Sequence, residues 1–233
     1  MITILNIETS GEACSVCISR DGYAEFEKIE REGMNHARVL APFVEEAMDW
    51  FHRQETKPDA VAVSIGPGSY TGLRIGLSTA KGLCMGLGVP LIGVSTLQLL
   101  AVEAMFGHHD WQGSEILVPM VDARRMEVYT AAYNFRLDSI IAPQPMIIDG
   151  DSFSDLLADN KVFFLGGGAA KCEGVIQSPN AHFMTRLQPL ATGMMALAEK
   201  AFREERFLDL AYSVPEYLKD FQATVPRNKV LEN

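Results

Sequence analysis

The chain has 233 residues and a formal net charge of −10, with 48% hydrophobic and 21% charged residues. That composition belongs to a folded globular protein and excludes a disordered or collagen-like chain, and the length suits one large domain or two small ones. The negative balance argues against autonomous nucleic-acid binding, because neutralising phosphates needs a basic face.

No basic segment followed by an apolar run opens the sequence, so secretion is not expected and a cytoplasmic location is. Gly82–Val102 is a run of 21 residues without a charge, long enough to span a bilayer. Its Gly88-Val89-Pro90 step reads as a turn, so a buried helix–turn–strand accounts for it better. The cysteines are Cys14, Cys17, Cys84 and Cys172. Cys14-Ser-Val-Cys17 has the spacing of half a metal site or a redox pair. The residues around it alternate as a strand does, however, and positions i and i+3 of a strand point to opposite faces. Reduced, partly buried cysteines are expected instead.

In chain order, Ile2–Glu8 reads as an apolar strand. Ala13–Arg20 and Tyr23–Ile29 flank Asp21-Gly22, a hairpin turn signal. Asn35 is placed to cap a helix running to about Phe51, with Leu40, Phe43, Ala47 and Trp50 on one stripe; Pro42 inside it must kink the helix or mark its first turn. Asp59–Ile65 reads as a buried strand, Ser69–Leu87 as a second helix, Pro90–Val94 as a strand and Thr96–Phe106 as a third helix. Gly107–Ser114 is polar and turn-like. The order then restarts, with strands over Glu115–Val121, Met126–Asn134 and, more weakly, Ala142–Ile148. A short helix follows at Ser152–Leu157, then a strand at Lys161–Leu165 and a long helix at Thr192–Phe207. The pattern βββαβα therefore occurs in 1–106 and again in 115–207, which suggests a duplicated α/β fold with lobes 1–106 and 107–233. The tail beyond Ser213 is expected to wrap back onto the body.

Between Val61 and Phe106 the only charges are Arg74, Lys81 and Glu103. A segment this poor in charge is expected to be buried on more than one face, inside the fold or against another chain. Gly72, Gly76 and Ala80 form a small-residue stripe on its central helix, and each interior glycine costs ~1 kcal/mol relative to alanine. The stripe suits close packing within a domain or a helix–helix contact with a partner. Gly66-Pro-Gly-Ser69 is a strand-to-helix turn able to receive an anion, but it is neither a Walker loop nor a nucleophile elbow. Glu8-Thr9-Ser10 and Gly166-Gly167-Gly168 sit at strand ends and suit either plain turns or a nucleotide cleft. Asp122-Ala-Arg124-Arg125 places an acid and two bases at an inter-lobe cleft or in a surface turn. His36, His52, His108, His109 and His182 show no H-E-x-x-H or H-x-x-x-H spacing, so no metal site is expected; His108-His109-Asp110 reads as a solvated loop.

Several segments together carry a resemblance: the run Asp59-Ala-Val-Ala-Val-Ser-Ile-Gly-Pro-Gly-Ser-Tyr-Thr-Gly-Leu-Arg-Ile-Gly76, then Ala80-Lys-Gly-Leu83, Val94-Ser-Thr-Leu97, Val121-Asp-Ala-Arg-Arg125, Val128-Tyr129 and Tyr217-Leu-Lys219. From Ile4 to Lys219 the chain resembles the TsaB (YeaZ) family, bacterial partners of the threonylcarbamoyl transferase TsaD. The resemblance implies an actin/Hsp70/sugar-kinase-like (ASKHA) fold of two related lobes. It also implies a role in making N6-threonylcarbamoyladenosine at position 37 of tRNAs that read ANN codons.

The catalytic relative holds a metal through two histidines, and the matching run here is Val94-Ser95-Thr96-Leu97-Gln98-Leu99-Leu100, with Thr96 and Leu100 at the ligand positions. Its Ser-Gly-Gly-His phosphate turn is replaced by Asp122-Ala-Arg-Arg125, and the family's usual Asp-Thr-Ser is Glu8-Thr-Ser10. A non-catalytic scaffold is implied, with no cofactor, or with ATP or ADP held only weakly or at the partner interface. The vestigial cleft would comprise Glu8, Thr9, Ser10, Asp122, Arg124, Gly166, Gly167 and Gly168. The family packs its first-lobe helices against the transferase or against a second copy, which implies an interface of His36, Leu40, Phe43, Ala47, Ser69, Tyr70, Gly72, Leu73, Gly76 and Ala80. Further expected partners are the ATPase TsaE, a homodimer in isolation, and tRNA only through the complex; no membrane is expected. The competing readings are a kinase-like ATP-dependent enzyme of the same superfamily and, less favoured, a peptidase.

Overall fold

The computed structural model describes residues 1–219 apart from Glu32, Met34, His108 and His109. The expected loop at His108-His109 thus lies outside the described residues. The first sheet holds β1 (Thr3–Glu8), β2 (Cys14–Arg20), β3 (Tyr23–Glu30), β4 (Ala60–Gly66) and β5 (Leu91–Ser95) in the order β3-β2-β1-β4-β5. The second holds β6 (Ile116–Asp122), β7 (Glu127–Tyr133), β8 (Ser139–Ile147), β9 (Val162–Leu165) and β10 (Ala181–Met184) in the order β10-β9-β6-β7-β8. Read from its other edge, the second sheet repeats the first: third, second, first, fourth, fifth. In both, the first three strands pair antiparallel and the fourth joins the first in parallel. The duplicated two-lobed fold expected from the sequence is the fold observed.

The helices are α1 (His36–Arg53), α2 (Tyr70–Leu87), α3 (Thr96–Gly107), α4 (Ser154–Asp159) and α5 (Met195–Arg203). Strand β1 is buried along its whole length because it is covered on both faces, as central strands of α/β sheets are. Leu5 and Ile7 face α1 and α2 in a cluster with Leu40, Ala47, Leu77 and Ala80. Ile4 faces the other way, onto Met194 and Ala198 of the α5 region.

The two halves of the sequence exchange helices. From the first half, α3 packs Leu97, Ala101 and Ala104 against Leu117, Ala131 and Leu165 of the second sheet. From the second half, α5 packs Ala198 and Ala201 against Ala60, Ala62 and Ile92 of the first. The boundary near residue 107 separates the sheets, while the core runs across it. This arrangement also explains the charge gap: α3 lies between two sheets, and Glu103 is its one charged residue.

Several expected elements are displaced. Asn35 precedes α1, but its side chain makes no capping bond. Pro42 sits inside α1 on the exposed side. The long final helix is only Met195–Arg203, and β10 is a four-residue strand with no alternation to announce it. The uncharged run Gly82–Val102 is divided among α2, β5 and α3, and among the described residues no helix is long and apolar enough to cross a membrane. On the edge strand β8, Pro143 and Pro145 are exposed, where missing donors discourage pairing with another chain.

Candidate functional site at the carboxyl ends of the sheets

In open α/β sheets ligands bind beyond the carboxyl ends of the strands, and here those ends bring together the turns after β1, β4, β6 and β9. Glu8 and Thr9 are 0% exposed and Ser10 is 3% exposed. One Glu8 carboxyl oxygen accepts from the Ser10 amide at 2.5 Å, and the other, Oε2, is buried without a partner among the described residues. Burial pushes this carboxyl above its ordinary pKa, while bonds from Ser10 and Ser64 pull the other way. Glu8 is therefore held toward its neutral form, the weaker form for a cation or magnesium-bound phosphate.

The small-residue stripe of α2 is the bed on which this turn lies. Thr9 Oγ1 donates to the Gly72 carbonyl at 2.9 Å, and the Ser69 amide donates to the Ser10 carbonyl at 2.8 Å. A Cβ at Gly72 would run into the Thr9 carbonyl, one at Gly76 into the Thr9 hydroxyl, and one at Gly68 into the Ser10 carbonyl. The stripe is thus explained by packing within the lobe. The expectation that Gly72, Leu73, Gly76 and Ala80 face another chain is corrected: all four are buried within the chain, Gly72 and Gly76 against Thr9 and Ala80 in the core cluster of the first lobe. His36, Leu40 and Ala47 are likewise buried in the core beneath α1, with His36 Nε2 lying 3.3 Å from the Ala13 carbonyl oxygen. Of the expected interface, Phe43 and Ser69 are half-buried and Tyr70 is exposed. The outward face of α2 instead carries Thr71, Arg74, Ser78, Gly82, Met85 and Gly86.

On the second lobe, Gly166 and Gly168 let the chain pass close over β6. A Cβ on them would come within 3.0 and 2.7 Å of the Met120 carbonyl oxygen. Gly166 also has a left-handed φ of 92°, which favours glycine. These glycines serve strand-to-turn packing, and Gly167 alone of the three opens onto free space. Thr96 and Leu100 are buried, and Leu100 packs beside Gly166. Asp122 pairs with Lys171 and accepts from the Arg124 amide at 3.0 Å.

The tail folds back onto the body as expected beyond Ser213, and the strap it forms begins earlier, at Leu208, and runs to Lys219. Leu208 bridges to Leu91, Lys81 Nζ donates to the Ser213 carbonyl at 2.7 Å, and the Glu216 amide donates to the Ile65 carbonyl at 2.7 Å. A Cβ at Gly66, whose φ is 123°, would meet the Glu216 carbonyl oxygen at 2.7 Å. The Tyr217 ring then lies tilted against Tyr70 with centroids 5.3 Å apart, and Lys219 pairs with Glu127 of the second lobe at 2.8 Å. The Tyr217-Leu-Lys219 motif was a signal of this contact. The strap starts beside Leu91 at the amino end of β5, reaches the carboxyl end of β4 at Glu216, and pairs with the second lobe through Lys219.

A family model for TsaD, tRNA N6-adenosine threonylcarbamoyltransferase, matches residues 30–227. The chain is 40% identical to the tRNA threonylcarbamoyladenosine biosynthesis protein TsaB of Escherichia coli strain K12 over 134 residues, 56% of this chain and 54% of that protein. It is 32% identical to the TsaB of Bacillus subtilis strain 168 over 170 residues, 71% of each chain. The match to the Escherichia coli relative thus spans about half of that protein's length. Among solved structures, YeaZ from Pseudomonas aeruginosa superposes with a TM-score of 0.77 at 30% identity, covering 94% of this chain and 100% of that one. On sequence and fold together, the chain belongs to the TsaB (YeaZ) family.

Proposed function

We propose that this chain is the non-catalytic scaffold of the assembly that makes N6-threonylcarbamoyladenosine at position 37 of ANN-reading tRNAs. It docks on the transferase TsaD through the first-lobe helices, and TsaE joins the pair. The observation that carries the reading is the chemistry of two positions. Where the catalytic relative holds a metal with imidazoles, this chain has Thr96 and Leu100, and a leucine offers no donor. The crowding at the strand ends supports it further: Gly68 rests on Ser10 and Gly66 lies under the strap, so a nucleotide phosphate would have to displace the chain's own backbone.

The partner face is then the outward side of α1 and α2, where Gly82 and Gly86 leave open space and Met85 is 74% exposed. In isolation the same face supports a homodimer. Reconstitution tests this role: the chain alone should modify no tRNA, and TsaD with TsaE should need the chain for turnover. Calorimetry with ATP and Mg²⁺ separates the kinase-like alternative, which requires tight nucleotide binding by the isolated chain.

A further inference from the structure

Residues 188–194 carry the chain from β10 of the second sheet back to α5, which packs on the first. This turn is held down by residues of the first half. Pro189 fills the space beside Gly11, where a Cβ would come within 3.1 Å of the proline ring. The Ala191 amide donates to Ser15 Oγ at 2.9 Å. Gly193 lies so close against the Glu103 carboxyl of α3 that a Cβ there would collide with it. Leu190, Ala191 and Met194 are buried beneath. The turn's own backbone bonds are long: Gly193 to Leu190 at 3.1 Å, Met194 to Ala191 at 3.3 Å and Met195 to Thr192 at 3.4 Å.

Glu103 is thus the side chain on which the returning chain closes. Its Oε1 is buried and completes no hydrogen bond among the described residues. Burial pushes the carboxyl up to about 7, against the pull of the Gly193 and Leu190 amides. Two charged groups face it from other elements. Glu8, at the end of β1, opposes the ionised form, and Arg31, just after β3, favours it. Neither the turn nor β5 adds an ionisable side chain. Glu8 supplies no countercharge, since it is an acid that is itself fully buried with Oε2 unpartnered among the described residues.

We infer that the 188–194 turn is a pH-operated latch between the lobes, closed over a protonated Glu103 and released when that carboxyl ionises. A neutral carboxyl stays dry between α3 and the turn, whereas a carboxylate needs water or a countercharge. Helix α3 is not free to supply either, because Leu97, Leu99 and Ala101 are fully buried in the cores on its two sides. The turn is the part that yields. It has no regular structure and few bonds, the character of segments that open locally without unfolding the molecule. Opening hydrates Glu103 while the strands keep their pairing. The latch does not depend on the proposed role; it adds that the lobes are joined less firmly above neutral pH.

Hydrogen–deuterium exchange of the full chain tests the latch, read on peptides spanning 188–194 with β1 as reference and corrected for the intrinsic effect of pH on exchange. The closed carboxyl titrates near 7 and the open one at its ordinary 4.5, so the opening constant should rise ~10-fold from pH 6 to 8 and level off above. Protection of 188–194 should fall by that factor. At both pH values it should also lie at least ~10-fold below that of β1, as local opening requires. Glu103→Gln should remove the pH dependence, and Glu103→Met, a non-titrating side chain of similar length, takes its place if the glutamine variant does not fold. Ser15→Ala should loosen the turn at both pH values and keep the ratio between them.

Equal protection of 188–194 at pH 6 and 8 in the wild-type chain overturns the inference. A ratio that persists without Glu103 does so as well, because another group is then titrating. So does protection of the turn equal to that of β1, which would mean that the turn opens only when the whole chain unfolds.

Discussion

Alanine placed at two glycines of α2 should move stability in opposite directions. At Gly72 the new methyl meets the Thr9 carbonyl, a backbone atom at the end of a fully buried strand. Either α2 slides outward or the 8–10 turn shifts, and overpacking of this kind costs ~1–3 kcal/mol. Losing the bond from Thr9 Oγ1 to the Gly72 carbonyl, 2.9 Å in the native chain, removes a contribution of ~1 kcal/mol. Helix propensity returns ~1 kcal/mol. The net destabilisation is then ~1–3 kcal/mol by those same terms. In a chain of this size each kcal/mol moves Tm by ~2–4 °C, so Gly72→Ala should lower Tm by roughly 2–12 °C. At Gly82 nothing lies within 4 Å of the added methyl; only the propensity term acts, and Tm should rise by ~2–4 °C. Differential scanning calorimetry of both variants at one pH decides it. A Gly72→Ala protein as stable as wild type would refute the packing account and reopen the stripe as an outward-facing surface.

The Glu103 carboxyl is pushed up to about 7 by burial, with amide bonds from Gly193 and Leu190 pulling the other way. The folded chain holds that proton between pH ~4.5 and ~7 while the unfolded chain releases it, so this group's contribution to stability is lost as pH rises through the window. Relative to wild type, Glu103→Gln should flatten the fall in Tm from pH 5 to 8, a difference of up to ~3 kcal/mol; parallel profiles would contradict it. Leu97→Ala should cost ~2–5 kcal/mol in urea unfolding, because this α3 residue is 0% exposed between the sheets; a loss below ~1 kcal/mol would mean the helix exchange is misread. Burial raises the thiols of Cys14 and Cys17 to about 12 and that of Cys84 to about 11. With Cys172 also buried, the native chain should be silent toward a thiol reagent that labels all its cysteines in guanidinium, and fast labelling of Cys14 or Cys17 would revive a redox pair.

The duplication was legible because the strand and helix patterns repeat in order, although the Asp21-Gly22 turn of the first half has no counterpart between Asp122 and Glu127. The ends of α2 were legible too, since Ser69 accepts from the Gly72 amide and Gly88 closes the helix with a left-handed φ of 64°. Three things were hidden. One is the exchange of α3 and α5, because apolar periodicity says that a face is buried but not by which sheet. Another is the direction of the glycine stripe: Gly72 and Gly82 look alike in sequence, and only the place of Thr9 separates them. The last is the course of the strap: a tail folding back was expected, but where it lands was not, because its contacts are carbonyls and ring faces that leave no period. Most of the expected interface residues fell in the core for the same reason, since a stripe of small and apolar residues reads alike whether it meets its own sheet or another chain. Of the residues expected at the cleft, Glu8, Thr9 and Ser10 are sealed beneath α2 and its preceding turn, and Gly166 and Gly168 pack over β6.

The central claim is that this chain enables another protein's chemistry and performs none itself. The most direct measurement is threonylcarbamoylation of an ANN-reading tRNA by purified TsaD and TsaE, with and without the chain. The account predicts modification only when the chain is present, and none from the chain with tRNA and substrates but without TsaD. Modification by TsaD and TsaE at the same rate in its absence, or by the chain alone, would contradict it.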